Sequence, residues 1–123
     1  MNQTILLIED EKDIRAVYSE VLRDAGFTVL ESTDGEAGQE QALSVKWDLL
    51  LLDIMLPKID GLQILKKVRE TPALSKLPII LLTNLGRDAV IKEGFELGAS
   101  GYLIKSDMTP DKGVEEVKSF LKK

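Results

Sequence analysis

The sequence predicts an α/β fold: a single doubly wound sheet of five parallel strands in the order 2-1-3-4-5, with five helices on its two faces. Three observations lead there. Short apolar runs alternate five times with amphipathic helical stretches, and strict alternation gives a parallel sheet with right-handed crossovers. The runs lack alternating polar residues, as expected of strands covered on both faces. At 123 residues the chain is long enough for one domain with its own core, so residues 1–123 are read as a single unit.

The elements follow in order. Thr4-Ile5-Leu6-Leu7-Ile8 is the first strand. Ile14, Val17, Tyr18, Val21, Leu22 and Ala25 then recur at spacings of three and four, one inward stripe of a helix that Gly26 ends. Phe27–Leu30 is a second strand, followed by a helix over roughly 35–45. The strongest strand is Asp48-Leu49-Leu50-Leu51-Leu52-Asp53, and behind it Leu62, Leu65 and Val68 mark a helix that stops before Pro72. Leu77–Leu82 is the fourth strand, with Ile91 and Phe95 lining a helix that ends near Gly98. Tyr102-Leu103-Ile104 is the fifth. Thr109-Pro110 reads as an N-cap with proline at the first helical position, opening a last helix with Val114, Val117, Phe120 and Leu121 inward. Gly113 weakens that helix by about 1 kcal/mol relative to alanine, so its first turn is expected to fray. Trp47 and Phe95 are read as packing residues.

Composition removes several kinds of chemistry. There is no cysteine and no histidine, which excludes disulfides, thiolate sites, imidazole catalysis and histidine metal ligation. No apolar run is long enough to span a membrane, and the N-terminus has no secretory pattern, so a cytoplasmic protein without membrane contact is expected. The net charge of −5 is lopsided: residues 1–61 carry 5 basic and 13 acidic side chains. Such an acidic half disfavours nucleic acid and attracts cations.

In this strand order ligands bind beyond the carboxyl ends of the strands, where the order reverses between the first and third. The first strand runs into Glu9-Asp10-Glu11, the third ends at Asp53, and Thr83 and Lys105 follow the fourth and fifth apolar runs. Crowded carboxylates repel, so either one of them holds its proton or a cation neutralises them, and an oxygen-only set suits Mg²⁺. Helix capping alone explains Glu9 and Asp10. It does not explain Asp53, a carboxylate ending the most apolar strand, which is costly unless paired or functional. Lys105 reads either as a salt-bridge partner of Asp53 or as a positioned point charge for phosphate. Together these groups can hold a phosphoryl group during transfer, with Asp53 as the nucleophile.

Over its whole length the chain resembles the receiver domain of bacterial two-component response regulators, a flavodoxin-like fold, in its stand-alone, chemotaxis-regulator-like form. The matching elements are Glu9-Asp10, Leu52-Asp53 with Met55-Leu56-Pro57 and Asp60-Gly61, Thr83, and Gly101-Tyr102-Leu103-Ile104-Lys105. The resemblance implies that Asp53 is phosphorylated by a histidine kinase, a histidine phosphotransfer protein or a small phosphodonor. It implies Mg²⁺ held by Asp10, Asp53 and the backbone carbonyl of Met55, with Glu9 acting through water. Thr83 and Lys105 would meet the phosphoryl oxygens. Tyr102 would be the switch aromatic that turns inward as Thr83 moves, unless it is simply a partly buried strand residue. The changed face would engage a downstream protein rather than DNA, in a monomer or weak dimer, and the domain would be a phospho-acceptor rather than a turnover enzyme.

Three departures from the family pattern stand out. Asn84 replaces the usual small residue after Thr83, and Ser106 replaces the usual proline after Lys105, where a cis bond without proline costs about 2.5–4 kcal/mol. Met55 and Leu85 are bulky near the site, which predicts slow loss of the phosphoryl group. The loop with Asn84, Gly86 and Arg87 reads as mobile. The main alternative is a pseudo-receiver acting as a phosphorylation-independent interaction module. A flavin or nucleotide carrier is disfavoured because the acids after the first strand repel phosphate. An aspartate-nucleophile hydrolase is disfavoured because it wants a second acid where Met55 stands.

Overall fold

The computed structural model describes residues 3–84, 88–105 and 109–121. Among them five strands, β1 (Thr4–Ile8), β2 (Thr28–Ser32), β3 (Leu49–Asp53), β4 (Ile79–Thr83) and β5 (Gly101–Ile104), alternate with five α-helices. These are α1 (Lys12–Asp24), α2 (Gly35–Ser44), α3 (Gly61–Glu70), α4 (Asp88–Glu96) and α5 (Pro110–Leu121). Every strand pair is parallel and the order is β2-β1-β3-β4-β5, as the alternation predicts.

Side chains on a strand alternate between faces, and the leucine run of β3 divides accordingly. Leu49 and Leu51 join Ile5, Leu7, Ile80, Leu82 and Leu103 in one layer, covered by Tyr18 and Leu22 of α1 and Val117 of α5. Leu50 and Leu52 join Leu6, Ile8, Ile79 and Leu81 in the other, covered by Ala42 of α2 and by Ile64, Leu65 and Val68 of α3. The strand expected at residues 48–53 starts at Leu49, and its Leu49–Leu52 run is apolar because it is buried on both sides.

Side chains at the helix ends satisfy exposed backbone donors. Asp34 accepts from Ala37 N–H at 2.8 Å before α2. Asp60 and Gln63 form a reciprocal capping box before α3. Thr109 Oγ1 accepts from Lys112 N–H at 3.3 Å, which bears out the N-cap expected before Pro110. At the amino end of the sheet, the Arg69 guanidinium donates to the carbonyls of Gly98 and Leu77, each at 2.8 Å, and ties α3 to the segments entering β5 and β4.

Several expectations are corrected. Strand β2 starts one residue later than expected and runs on through Glu31 and Ser32, since an edge strand tolerates polar residues that pattern reading assigns to a loop. Strand β4 starts at Ile79 rather than Leu77, because Leu77 closes a turn after the short 3₁₀ segment Pro72–Leu74. Val17 is exposed, and α1 buries Ser19 in its place. Phe95 is also exposed. Helix α4 lies so close to β4 that a Cβ on Gly94 would overlap Leu81, and the Phe95 ring lies aside, edge-on to Tyr102 at 6.0 Å between centroids. Trp47 is buried as expected, its indole N–H donating to the Ala42 carbonyl at 3.0 Å. Gly113, expected only to weaken α5, has a packing role: a Cβ there would stand 2.9 Å from Tyr18 Cε1, so the missing side chain lets α5 rest on α1. Leu85, Gly86, Arg87 and Ser106 lie outside the described residues. Among those described, no helix is long and apolar enough to cross a membrane.

Two predictions concern this scaffold. A Cβ on Gly35 would overlap the Ile59 carbonyl oxygen in the segment after β3. Gly35→Ala is therefore expected to lower unfolding free energy by about 2–4 kcal/mol, read as a fall in urea midpoint with unchanged slope. The Ala37 N–H holds the Asp34 carboxyl below its usual range, helped by Lys58. A depressed acid stabilises the fold above its unfolded pKa of about 4 and loses that contribution as pH falls through the folded value. Asp34→Asn keeps a neutral cap and should show a flatter acid limb, so its urea midpoint should trail wild type at pH 7 and converge with it near pH 3.

Candidate functional site

Three of the predicted residues share a sheet face by parity. Glu9 continues the Ile5–Leu7 side of β1, Asp53 the Leu49–Leu51 side of β3, and Lys105 the Leu103 side of β5. Strand register aligns them: Ile8 pairs with Leu52, Asp53 with Leu82 and Thr83 with Ile104. The Lys105 N–H donates to the Thr83 carbonyl at 2.8 Å, which places its Cα one step past the Thr83–Ile104 pair.

The Lys105 ammonium lies 2.9 Å from Glu9 Oε1, 3.1 Å from Asp53 Oδ2 and 3.2 Å from Glu11 Oε1. Its side chain is 6 % exposed, and Glu9 and Asp53 are buried. The other oxygens meet backbone. Asp53 Oδ1 accepts from Met55 N–H at 3.1 Å, and Glu9 Oε2 accepts from Glu11 N–H at 2.9 Å. Glu9 thus braces the backbone of Glu11 ahead of α1 and caps no first-turn N–H of that helix, while its second oxygen faces the pocket. Among the described residues, Glu9 Oε1 and Asp53 Oδ2 accept no aligned hydrogen bond, although the ammonium lies 2.9 and 3.1 Å from them. The salt-bridge account of Lys105 therefore holds in the structure.

The Asp53 carboxyl is pushed up to about 8, chiefly by burial and then by the neighbouring Glu9 carboxylate, with Lys105 offsetting part of both effects. For Lys105 burial acts downward, but Glu9 and Asp53 outweigh it and its pKa rises above the usual lysine range. The ammonium therefore stays charged.

The remaining predicted residues differ in placement. Asp10 is exposed at the rim and still brings a carboxylate oxygen within 4.8 Å of oxygens from Glu9 and Asp53. Thr83 is buried, its hydroxyl donating to the Asn84 carbonyl at 3.3 Å, while Asn84 itself is exposed. The Met55 side chain is exposed. Tyr102 is exposed on the edge strand beside Phe95, away from the ion-pair cluster. The donor set suits a hard divalent cation: three carboxylates, oxygen ligands only, and two buried oxygens without an aligned donor.

Two groups, Arg15 and Tyr18, escape a reading of run ends, and a third, Glu11, is visible there only as one more acid of the first run. Glu11 is the third partner of Lys105. Arg15 donates to the carbonyls of Glu9 at 2.9 Å and Asp10 at 3.4 Å and pairs with Glu31 at 3.2 Å, which braces the segment after β1. Tyr18 lies near enough to Glu9 and Lys105 to feel both charges; burial and Glu9 push its phenol up. Helical spacing identifies Tyr18 as buried but says nothing of the charges beside it.

A doubly wound α/β domain with an acid-and-lysine pocket at its switch point defines the class. The sequence matches the response regulator receiver domain over residues 5–118. It is 36% identical over 123 residues to the transcriptional regulatory protein SrrA of Staphylococcus aureus, covering 100% of this chain and 49% of that protein. Among solved structures, a response regulator from Chloroflexus aurantiacus superposes with a TM-score of 0.92 at 36% identity, over 98% of each chain. The chemotaxis response regulator CheY4 of Vibrio cholerae gives 0.90 at 27% identity, over 98% of this chain and 99% of its own. The chain belongs to the response regulator receiver domain family, and it spans about half the length of the curated relatives it matches.

The shared ammonium makes a stability prediction. Lys105→Met should destabilise the cation-free protein by about 2–4 kcal/mol at pH 8, since it leaves two buried acids without their cation. Adding Asp53→Asn should recover part of that loss, since Glu9 stays unpaired, and a double-mutant cycle by urea unfolding measures the coupling. Additive losses would mean the contact contributes nothing.

Proposed function

We propose that the chain is a phosphorylation-dependent signalling switch of a two-component phosphorelay, acting in the cytoplasm. Asp53 accepts a phosphoryl group from a histidine kinase or a histidine phosphotransfer protein in a Mg²⁺-dependent step. The phosphorylated form then offers an altered face to a downstream protein. One observation carries this reading: a buried carboxylate ends the central strand, one of its oxygens has no aligned hydrogen-bond donor and lies 3.1 Å from an ammonium, and two more acids stand beside it. Membership of the receiver family supports it.

In the transfer, an Asp53 oxygen bonds to phosphorus as the bond from phosphorus to the donor breaks, and the donor departs with the electron pair. From a phosphohistidine the leaving atom is an imidazole nitrogen, which then takes up a proton; from acetyl phosphate it is an acetate oxygen. Such transfers depend on positioning and charge neutralisation. Lys105 supplies a fixed positive charge for a phosphoryl oxygen, and the Thr83 hydroxyl turns from the Asn84 carbonyl to donate to another. Asp10, Asp53 and the Met55 carbonyl would hold Mg²⁺, with Glu9 acting through water; bound there, the ion offsets the charge of the incoming group. Movement of Thr83 would draw Tyr102 inward from its place beside Phe95 and so alter the surface of α4 and β5. Every charged member of the set converges in one pocket, which the phosphorylation-independent module does not require.

The test is intact mass after incubation with acetyl phosphate. Wild type should gain one phosphoryl mass in Mg²⁺ and none in chelator. Asp53→Asn should gain none under either condition, and Asp10→Asn should need at least tenfold more Mg²⁺ for the same yield, a loss of about 1.4 kcal/mol in cation binding. A wild-type chain that stays unmodified with Mg²⁺ present sinks the reading.

A further inference from the structure

We propose that Glu11 competes with the incoming phosphoryl group for the Lys105 ammonium and thereby limits how fast Asp53 is phosphorylated. The inference rests on Asp53 being the acceptor. An ammonium has three N–H donors, and Lys105 faces three carboxylates, Glu9, Asp53 and Glu11, at 2.9–3.2 Å. Of the three only Glu11 accepts an aligned hydrogen bond from the ammonium, at 3.2 Å, while Glu9 Oε1 and Asp53 Oδ2 are held by charge alone, so a phosphoryl oxygen seeking an aligned N–H meets Glu11 as its direct competitor. Glu9 is fully buried and has no water to turn to. Asp53 is the reacting group itself. Glu11 is 54 % exposed, so its carboxylate can swing into solvent and be hydrated there.

The local backbone explains why Glu11 is available for this contact. It occupies the position preceding α1 in extended conformation, where a shorter acid would cap the helix, yet its side chain makes no capping bond. It reaches instead across the pocket to the residue that follows β5. One contact therefore joins the entrance of α1 to the exit of β5, and phosphoryl entry must break it. Glu11 is a positioning residue: it acts on the transfer through Lys105 and forms no bond to phosphorus.

The experiment measures the rate of phosphorylation by acetyl phosphate in saturating Mg²⁺, by intact mass, for wild type, Glu11→Gln, Glu11→Asp and Asp13→Asn. In each case an Asp53 oxygen bonds to phosphorus and acetate leaves with the electron pair. Glu11→Gln keeps the length and loses the charge; Glu11→Asp keeps the charge and loses the reach. Both are expected to react about 3–10-fold faster than wild type, the range for losing one partly exposed charged contact. Asp13→Asn removes an equal charge in the first turn of α1 and should match wild type. Equal rates in all four chains overturn the inference while leaving Asp53 as acceptor. Glu11→Asp at the wild-type rate, or Asp13→Asn as fast as Glu11→Gln, also overturns it, because general repulsion rather than the contact would then set the rate. A wild type that gains no phosphoryl mass overturns the acceptor reading, and this inference with it.

Discussion

The carboxyl end of this sheet is organised around one buried ammonium. Glu9 and Asp53 are taken out of water at the ends of two adjacent strands, and each keeps an oxygen that no aligned hydrogen-bond donor satisfies. Desolvated carboxylates are expensive, and Lys105 is the group that makes them tolerable. It does so incompletely, because burial and Glu9 together still push the Asp53 carboxyl well above the ordinary range. A fold selected for stability alone would do better with apolar residues at these positions. The strain of this arrangement is what points to a role in binding.

Strand parity and the two-layer core deliver these groups. Because the pocket-side positions Ile5 and Leu7 of β1, Leu49 and Leu51 of β3 and Leu103 of β5 are apolar and packed in one layer, the first polar side chain past that layer emerges at the same end on all three strands. The opposite end is closed by Arg69, whose guanidinium binds carbonyls entering β4 and β5. Past β3, the Gly35 N–H donates to the Pro57 carbonyl at 3.1 Å, and Lys58 takes a left-handed conformation beside Asp34 and Glu36. The segment carrying Met55 is therefore docked on the start of α2, and the backbone around Asp53 is held from two sides.

Much of this is legible in the sequence because burial on both faces leaves a plain record. The leucine run of β3, the stops at Gly26, Pro72 and Gly98, and the polar residues closing each run read directly as architecture and as a pocket. The failures share one cause: side-chain meetings across the sheet leave no mark on local spacing. Val17 fits the helical stripe yet faces solvent, because burial by a neighbouring helix is not periodic. Gly113 looks like a defect until Tyr18 is seen beneath it. Glu11 looks like one more exposed acid on a lopsided surface; nothing near it announces a partner 94 positions away. The extent of β2 and the start of β4 are likewise hidden from local composition, since β2 pairs through polar residues at a sheet edge and the apolar Leu77 closes a turn instead of opening β4.

The charge in the pocket finally bears on the order of events. Among the described residues, Glu9, Glu11 and Asp53 face one ammonium, Asp10 lies beside two of these acids, and the nearby Arg15 guanidinium is committed to backbone carbonyls and Glu31. An incoming phosphoryl group adds negative charge to a site already dominated by it, in surroundings where screening by water is poor. On the proposed reading, the acids after β1 therefore have a different task from Lys105. They make the pocket hostile to anions until a cation has entered, and only then does the ammonium have a donor to give. The same acids that disfavour phosphate in the resting protein would thus make its arrival conditional on the metal. That is why a pocket built to receive an anion is lined mainly by carboxylates.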